Sequence, residues 1–180
     1  MDDYLVLGGG NDTISLIVRG VNDYVDGGIG TDRLNADLGS FNHYGTGRIW
    51  WEGKDAAGNA VTAVDVNSAY ATVANYVNTA TTNLLQIYIY DPWQGWIARG
   101  ATLTFTDIEN LSVSASSAVN QDDLIFVRGT GIYDGKGGND AIYADLSAAT
   151  HDVNMVAGNG ENYSYQGTSF SNFERFMVTT

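Results

Sequence analysis

Nine consecutive residues, Gly27-Gly28-Ile29-Gly30-Thr31-Asp32-Arg33-Leu34-Asn35, constrain this chain more than anything else in it. The three glycines let the backbone turn through positive φ and bring carbonyl oxygens close together. Asp32 then closes the turn with a carboxylate, and carbonyls plus a carboxylate form the all-oxygen donor set that hard cations take. Arg33-Leu34-Asn35 follows as a short strand in which Leu34 alone points inward, because side chains alternate along a strand. One turn and one short strand make half a coil. Such a unit cannot bury a core by itself, so it predicts stacked copies.

Copies are present. Leu7-Gly8-Gly9-Gly10-Asn11-Asp12-Thr13-Ile14-Ser15 keeps the pattern with Leu7 in place of the first glycine. Gly135-Lys136-Gly137-Gly138-Asn139-Asp140-Ala141-Ile142-Tyr143 keeps it with Lys136 in place of the second. Shorter half-matches stand at Asp3-Tyr4-Leu5, Asn22-Asp23-Tyr24-Val25 and Asp122-Asp123-Leu124-Ile125. Glycine and aspartate are common in ordinary turns, but here three copies hold glycine, aspartate and the inward aliphatic residue in phase.

These copies of G-G-x-G-x-D-x-U-x resemble the RTX family, the hemolysin-type calcium-binding repeats of secreted bacterial proteins. The strong resemblance covers residues 2–38 and 120–147. It implies an all-β fold, a parallel β-roll or β-solenoid whose successive turns hold calcium ions, with a mixed insert. It also implies metal ligands: Asp12, Asp32 and Asp140 in the full copies, Asp3, Asp23, Asp122 and Asp123 in the half-matches, and Gly10, Gly28, Gly30 and Gly138 in the turns. Asp3, Asp12, Asp23 and Asp32 are spaced by 9, 11 and 9 residues. With turns alternating between two edges, Asp3 pairs with Asp23 and Asp12 with Asp32, while Ile14, Val25 and Leu34 point inward. Arg19-Gly20 and Arg128-Gly129 occupy turns where the family carries an acidic ligand nearby, and an arginine there is read as a replacement for the ion on one edge.

The charge agrees with that donor set. The net charge is -13, and 17 of the 21 acidic residues are aspartate. Glutamate suits helices and aspartate suits turns, so the excess points to turn ligands rather than to a solvated acidic helix. Such a charge repels nucleic acid and anionic membrane and leaves cations as natural partners. The absence of cysteine excludes disulfides and Cys zinc sites, and two histidines, His43 and His151, are too few for a His-rich centre. No run of 18 apolar residues exists, and Met1-Asp2-Asp3 is the opposite of a positively charged leader. RTX proteins are similar to substrates of a one-step, type I export route that reads an uncleaved C-terminal signal. The expected location is therefore extracellular, secreted or at the cell surface.

A longer repeat underlies the short one. Asp32 and Asp140 are 108 residues apart, as are Asp37 and Asp145 in the echo of Ala36-Asp37-Leu38 by Ala144-Asp145-Leu146. Phe105-Thr106-Asp107-Ile108-Glu109 is echoed by Phe170-Ser171-Asn172-Phe173-Glu174, aromatic first and glutamate fifth. The chain reads as a segment of a longer array. Its expected parts are residues 1–40 with the first repeats, an aromatic-rich insert at 41–104, a strand and second repeat block at 105–147, and a β tail at 148–180.

The insert differs in composition. It holds all four tryptophans, Trp50, Trp51, Trp93 and Trp96, and the only proline, Pro92. Leu85, Ile87 and Ile89 alternate with polar and tyrosine residues, which predicts a strand. Asp91-Pro92-Trp93-Gln94-Gly95 predicts a turn and Trp96-Ile97-Ala98-Arg99 the partner strand of a hairpin. Val66, Ala69, Tyr70, Val73, Ala74 and Val77 recur at helical spacing with Asp65 or Ser68 near the cap, although the β-formers Thr72, Val73, Tyr76 and Val77 favour a strand. The aromatics form either the insert's own core or a ligand- or carbohydrate-binding, adhesive face, since Trp and Tyr stack on sugar rings. No H-E-x-x-H, G-x-S-x-G, cysteine nucleophile or P-loop is present. The expectation is a non-enzymatic, calcium-binding structural module of a larger protein.

Overall fold

The computed structural model describes residues 2–18, 22–38, 47–91, 93, 95–115, 121–150 and 162–180. The chain enters with four short strands, β1 (Tyr4–Val6), β2 (Thr13–Ile17), β3 (Asp23–Asp26) and β4 (Arg33–Asp37). They alternate between two sheets, and the glycine-rich turns at 7–12 and 27–32 cross from β1 to β2 and from β3 to β4. β1 lies parallel to β3 with Tyr4 opposite Tyr24, and β2 lies parallel to β4 with Ile14 opposite Leu34. Both registers step by 20 residues. Val25 and Leu34 are fully buried and Ile14 half-buried, because paired strands align their in-phase aliphatics, Leu5 with Val25 in one sheet and Ile14 with Leu34 in the other.

The insert supplies β5 (Gly47–Lys54), β6 (Ala60–Val64), a helix α1 (Tyr70–Thr79), β7 (Thr82–Asp91) and β8 (Gly95–Thr106). β7 and β8 form an antiparallel hairpin that closes from Asp91 opposite Gly95, and β5 pairs antiparallel with both β6 and β7. The helix buries Val73 and Tyr76. Its N-cap is Ala69 with no side-chain cap, so neither Asp65 nor Ser68 fills that role. Asp65 instead accepts a hydrogen bond from the Asn67 N–H and pairs with Arg48. The division at residue 104 falls inside β8: residues 103–106 pair in parallel with β3 while the same strand pairs with β7 on its other side.

Beyond the insert follow β9 (Asn110–Ser114), β10 (Leu124–Phe126), β11 (Ile132–Asp134), β12 (Ala141–Asp145), β13 (Asn162–Tyr165), β14 (Thr168–Ser171) and β15 (Arg175–Thr179). The sheets run β1-β3-β8-β7-β5-β6, β10-β12-β15 and β13-β14-β11-β9-β4-β2. The expectation of one parallel β-roll or β-solenoid is therefore corrected. The fold is mostly β, in three sheets, two of which mix parallel with antiparallel pairing. The physical reason lies in β8. A strand has two hydrogen-bonding edges, and β3 and β7 take both, so β10 has no edge there to extend and begins a separate sheet with β12 and β15.

One core joins the sheets. Leu34 faces Leu111 and Val25 faces Phe105 across neighbouring strands. Trp51 of β5 packs against Phe105 and Phe126, ring centroids 6.2 and 4.2 Å away, and its indole N–H donates to the Leu124 carbonyl at 2.7 Å. Burying each such side chain stabilises by roughly 1.5–3 kcal/mol. The insert is thus packed onto the second repeat block.

Candidate metal sites

The glycine-rich turns stack backbone on backbone. The Ile29 N–H donates to the Gly8 carbonyl at 2.7 Å and the Gly10 N–H donates to the Ile29 carbonyl at 2.9 Å. A β-carbon on Gly28 would sit 2.0 Å from the Gly8 oxygen, one on Gly30 would sit 1.7 Å from the Gly10 oxygen, and one on Gly138 would sit 1.9 Å from the Gln121 oxygen. Side chains there are sterically impossible without moving the neighbouring turn. Gly10 meets nothing within 4 Å, but its φ of 128° is one that residues with a side chain rarely adopt.

The acidic residues stand in ladders. The Asp12 N–H donates to Asp32 Oδ1 at 2.7 Å, and the Asp32 N–H donates to Glu109 Oε2 at 2.7 Å. The same arrangement recurs in the second block, where the Asp123 N–H donates to Asp140 Oδ1 at 2.7 Å and the Asp140 N–H donates to Glu174 Oε2 at 2.8 Å. On the opposite edge the Asp3 N–H donates to Asp23 Oδ1 at 3.0 Å. The structure thus pairs Asp3 with Asp23 and Asp12 with Asp32.

Asp32 and Asp140 each accept a backbone hydrogen bond through Oδ1, which leaves Oδ2 over. Asp12 Oδ2, Asp32 Oδ2 and Asp140 Oδ2 are buried with no hydrogen-bond partner. A buried polar atom left unpaired costs about 1–3 kcal/mol, and more when charged. These three belong to the three full copies of the nonapeptide, and a cation bound there would give each of these oxygens a partner. At Asp140 burial, then the neighbouring charge of Asp123, push the carboxyl up to about 9, with Glu174 and Asp122 acting in the same direction. The site is short of positive charge.

The half-match residues are placed differently. Asp123 is fully buried, but its Oδ1 accepts from the Ile49 N–H at 2.9 Å, and the Gln121 amide lies 3.3 Å from its Oδ2. Asp122 accepts from the Asn139 N–H at 2.9 Å, and Asn11 does the same for Thr31. Arg19 lies outside the described residues. Arg128 donates to the Ile108 carbonyl at 3.2 Å and lies 6.0 Å from the centre of the Phe105 ring, so its cation stands beside the Asp107–Glu109 turn.

The glycine-rich motifs do not single out Glu109 and Glu174. The sequence signal for them is the echo of Phe105–Glu109 by Phe170–Glu174, which fixes a glutamate at the fifth place in both. Among the described residues no group of three or more His, Cys, Asp or Glu side chains is disposed as a metal cluster. An ion placed here would meet one or two carboxylates and backbone carbonyls, a donor set that suits calcium better than a transition metal. Among the described residues no helix is long and apolar enough to cross a membrane. Comparison of the chain with protein-family models, curated proteins and solved structures finds no match.

Proposed function

We propose that this chain is a calcium-binding, calcium-stabilised structural module of a larger secreted or cell-surface bacterial protein, and that it is not an enzyme. The observation that carries the proposal is the set of buried, partnerless Oδ2 atoms on Asp12, Asp32 and Asp140, one in each full copy of the glycine-rich motif. The motif residues themselves support the likeness to RTX repeats. Bound calcium removes the repulsion within each acidic ladder, so folding and metal binding are coupled. Circular dichroism in chelator and then in calcium tests this. A gain of β signal and a cooperative melt on adding calcium is the expected result, and an identical spectrum and melt in both conditions sinks it.

A second reading, a ligand- or carbohydrate-binding module with specificity in residues 41–104, is favoured by Trp93, which is 94 % exposed at the tip of the β7–β8 hairpin. Trp51, by contrast, is 0 % exposed and belongs to the core. Glycan-array binding that vanishes in Trp93→Ala with the fold intact supports this reading, and an array with no bound glycan removes it.

A further inference from the structure

We propose that the two tight turns Asp107-Ile108-Glu109 and Asn172-Phe173-Glu174 are calcium half-sites, each completing one ion site with the glycine-rich turn stacked against it. The ligands assigned are the Asp32 carboxylate, the Asp107 carbonyl and the Glu109 carboxylate in one site, and the Asp140 carboxylate, the Asn172 carbonyl and the Glu174 carboxylate in the other. This rests on the reading that the glycine-rich turns take calcium, and it names what closes the shell.

The first observation is a shared cradle. A β-carbon on Gly27 would lie 2.9 Å from Asp32 Oδ2 and 1.9 Å from the Asp107 carbonyl oxygen. One on Gly135 would lie 2.8 Å from Asp140 Oδ2 and 2.2 Å from the Asn172 carbonyl oxygen. In both places a buried carboxylate oxygen without a partner and a backbone carbonyl oxygen border one small space that only glycine leaves open. Their separation falls within the roughly 5 Å spanned by two Ca–O bonds of about 2.4 Å.

The second is the turn itself. Asp107 and Asn172 adopt left-handed backbone, φ 51° and 58°, at corresponding places. Asparagine and aspartate tolerate that region better than other side chains, at a cost of about 1–2 kcal/mol. It allows three residues to make the crossing that Gly27–Asp32 makes in six. From these shorter turns glutamate, one methylene longer than aspartate, reaches the Asp32 and Asp140 N–H groups. Glu109 and Glu174 each touch the backbone N–H of the ladder aspartate while staying open to solvent, the route by which an ion enters.

The third is recurrence across unequal loops. Asp32 and Glu109 are 77 residues apart, whereas Asp140 and Glu174 are 34 apart. Loops of such different length delivering one geometry point to a requirement of the site. Capping an N–H needs only a neutral acceptor. Setting a second carboxylate beside a buried one is unfavourable without positive charge to offset it, of which Arg128 supplies part at Glu109.

The test is calorimetric titration of the full chain, freed of metal, with calcium chloride alone. Wild type is expected to show calcium sites that Glu109→Gln and Glu174→Gln each weaken by about tenfold or more, because site charge sets calcium affinity, with the double variant weakened at both. Glutamine keeps an acceptor for the N–H, so a purely structural glutamate predicts unchanged isotherms, and superimposable isotherms for wild type and double variant overturn the proposal. A wild type that binds no calcium instead overturns the function on which it rests. For variants that fail to fold, wild-type crystals grown with calcium give the answer. Ion density between Asp32 Oδ2 and the Asp107 carbonyl, and between Asp140 Oδ2 and the Asn172 carbonyl, upholds it, and density confined to the glycine-rich turns overturns it.

Discussion

Asp123 Oδ1 accepts a 2.9 Å hydrogen bond from the backbone N–H of Ile49, a buried contact between residues 74 positions apart. An aspartate whose sequence places it in an acidic turn therefore ties the insert to the second repeat block. Asp123→Ala leaves that N–H unpaired in the core and is expected to cost about 3 kcal/mol. That corresponds to roughly 6–12 °C in melting temperature for a domain of this size. Asp123→Asn retains an acceptor and loses less than half as much. Thermal melts at saturating calcium decide it, and an alanine variant that melts with wild type rejects the tie.

The aspartates proposed to hold calcium are expected to behave oppositely with and without the ion. Asp140→Asn removes a carboxylate that burial and Asp123 already push up to about 9. In chelator the variant is expected to melt no lower than wild type. In calcium it loses ligand charge, and a tenfold weaker site forfeits about 1.4 kcal/mol of calcium-linked stability. Melting curves recorded in both conditions should cross. Parallel curves, with the variant equally unstable in each, argue against a metal role at this residue.

Gly30 leaves no room for a side chain: a β-carbon added there would stand 1.7 Å from the Gly10 oxygen. Gly30→Ala forces the turns apart and is expected to destabilise by about 3 kcal/mol or more. Gly58, at φ 85° with nothing within 4 Å, pays only the local backbone strain when changed to alanine, about 1–2 kcal/mol. Urea unfolding of the two variants ranks them, and equal midpoints refute the stacked-turn geometry.

Iodide quenching separates the tryptophans. Trp93→Phe is expected to lower the quenchable fraction of the emission, because Trp93 is 94 % exposed. Trp51→Phe removes a shielded emitter and raises that fraction. It also deletes the 2.7 Å bond to the Leu124 carbonyl, worth about 1 kcal/mol. A Trp51 variant with a reduced quenchable fraction contradicts its place in the core.

The 9, 11, 9 spacing of Asp3, Asp12, Asp23 and Asp32 is enough to pair the acids across successive turns, and the structure makes those pairs. The hairpin between β7 and β8 is likewise written in its alternation and its turn residues. Both are local: the residues that specify them lie within one turn or one strand pair. The partner of Asp123 is not legible, because nothing in its own motif marks Ile49. Nor are Glu109 and Glu174 legible as members of the ladders, since their registers depend on how separations of 77 and 34 residues fold. The single β-roll fails for a related reason. The motifs describe each coil, but they do not say which strand reaches a free edge first.

Sequence by itself determined the chemistry of the turns: where glycine admits a neighbouring carbonyl, where aspartate offers its carboxylate, and which aliphatic residues face inward. Tertiary structure decided that β7 occupies the second edge of β8, so that the strands divide among three sheets, and that Asp123 meets a backbone N–H. The difference is one of range. A nine-residue pattern governs backbone dihedrals and facing, whereas hydrogen-bonding edges and buried carboxylates are satisfied by whatever the rest of the chain brings within about 3 Å.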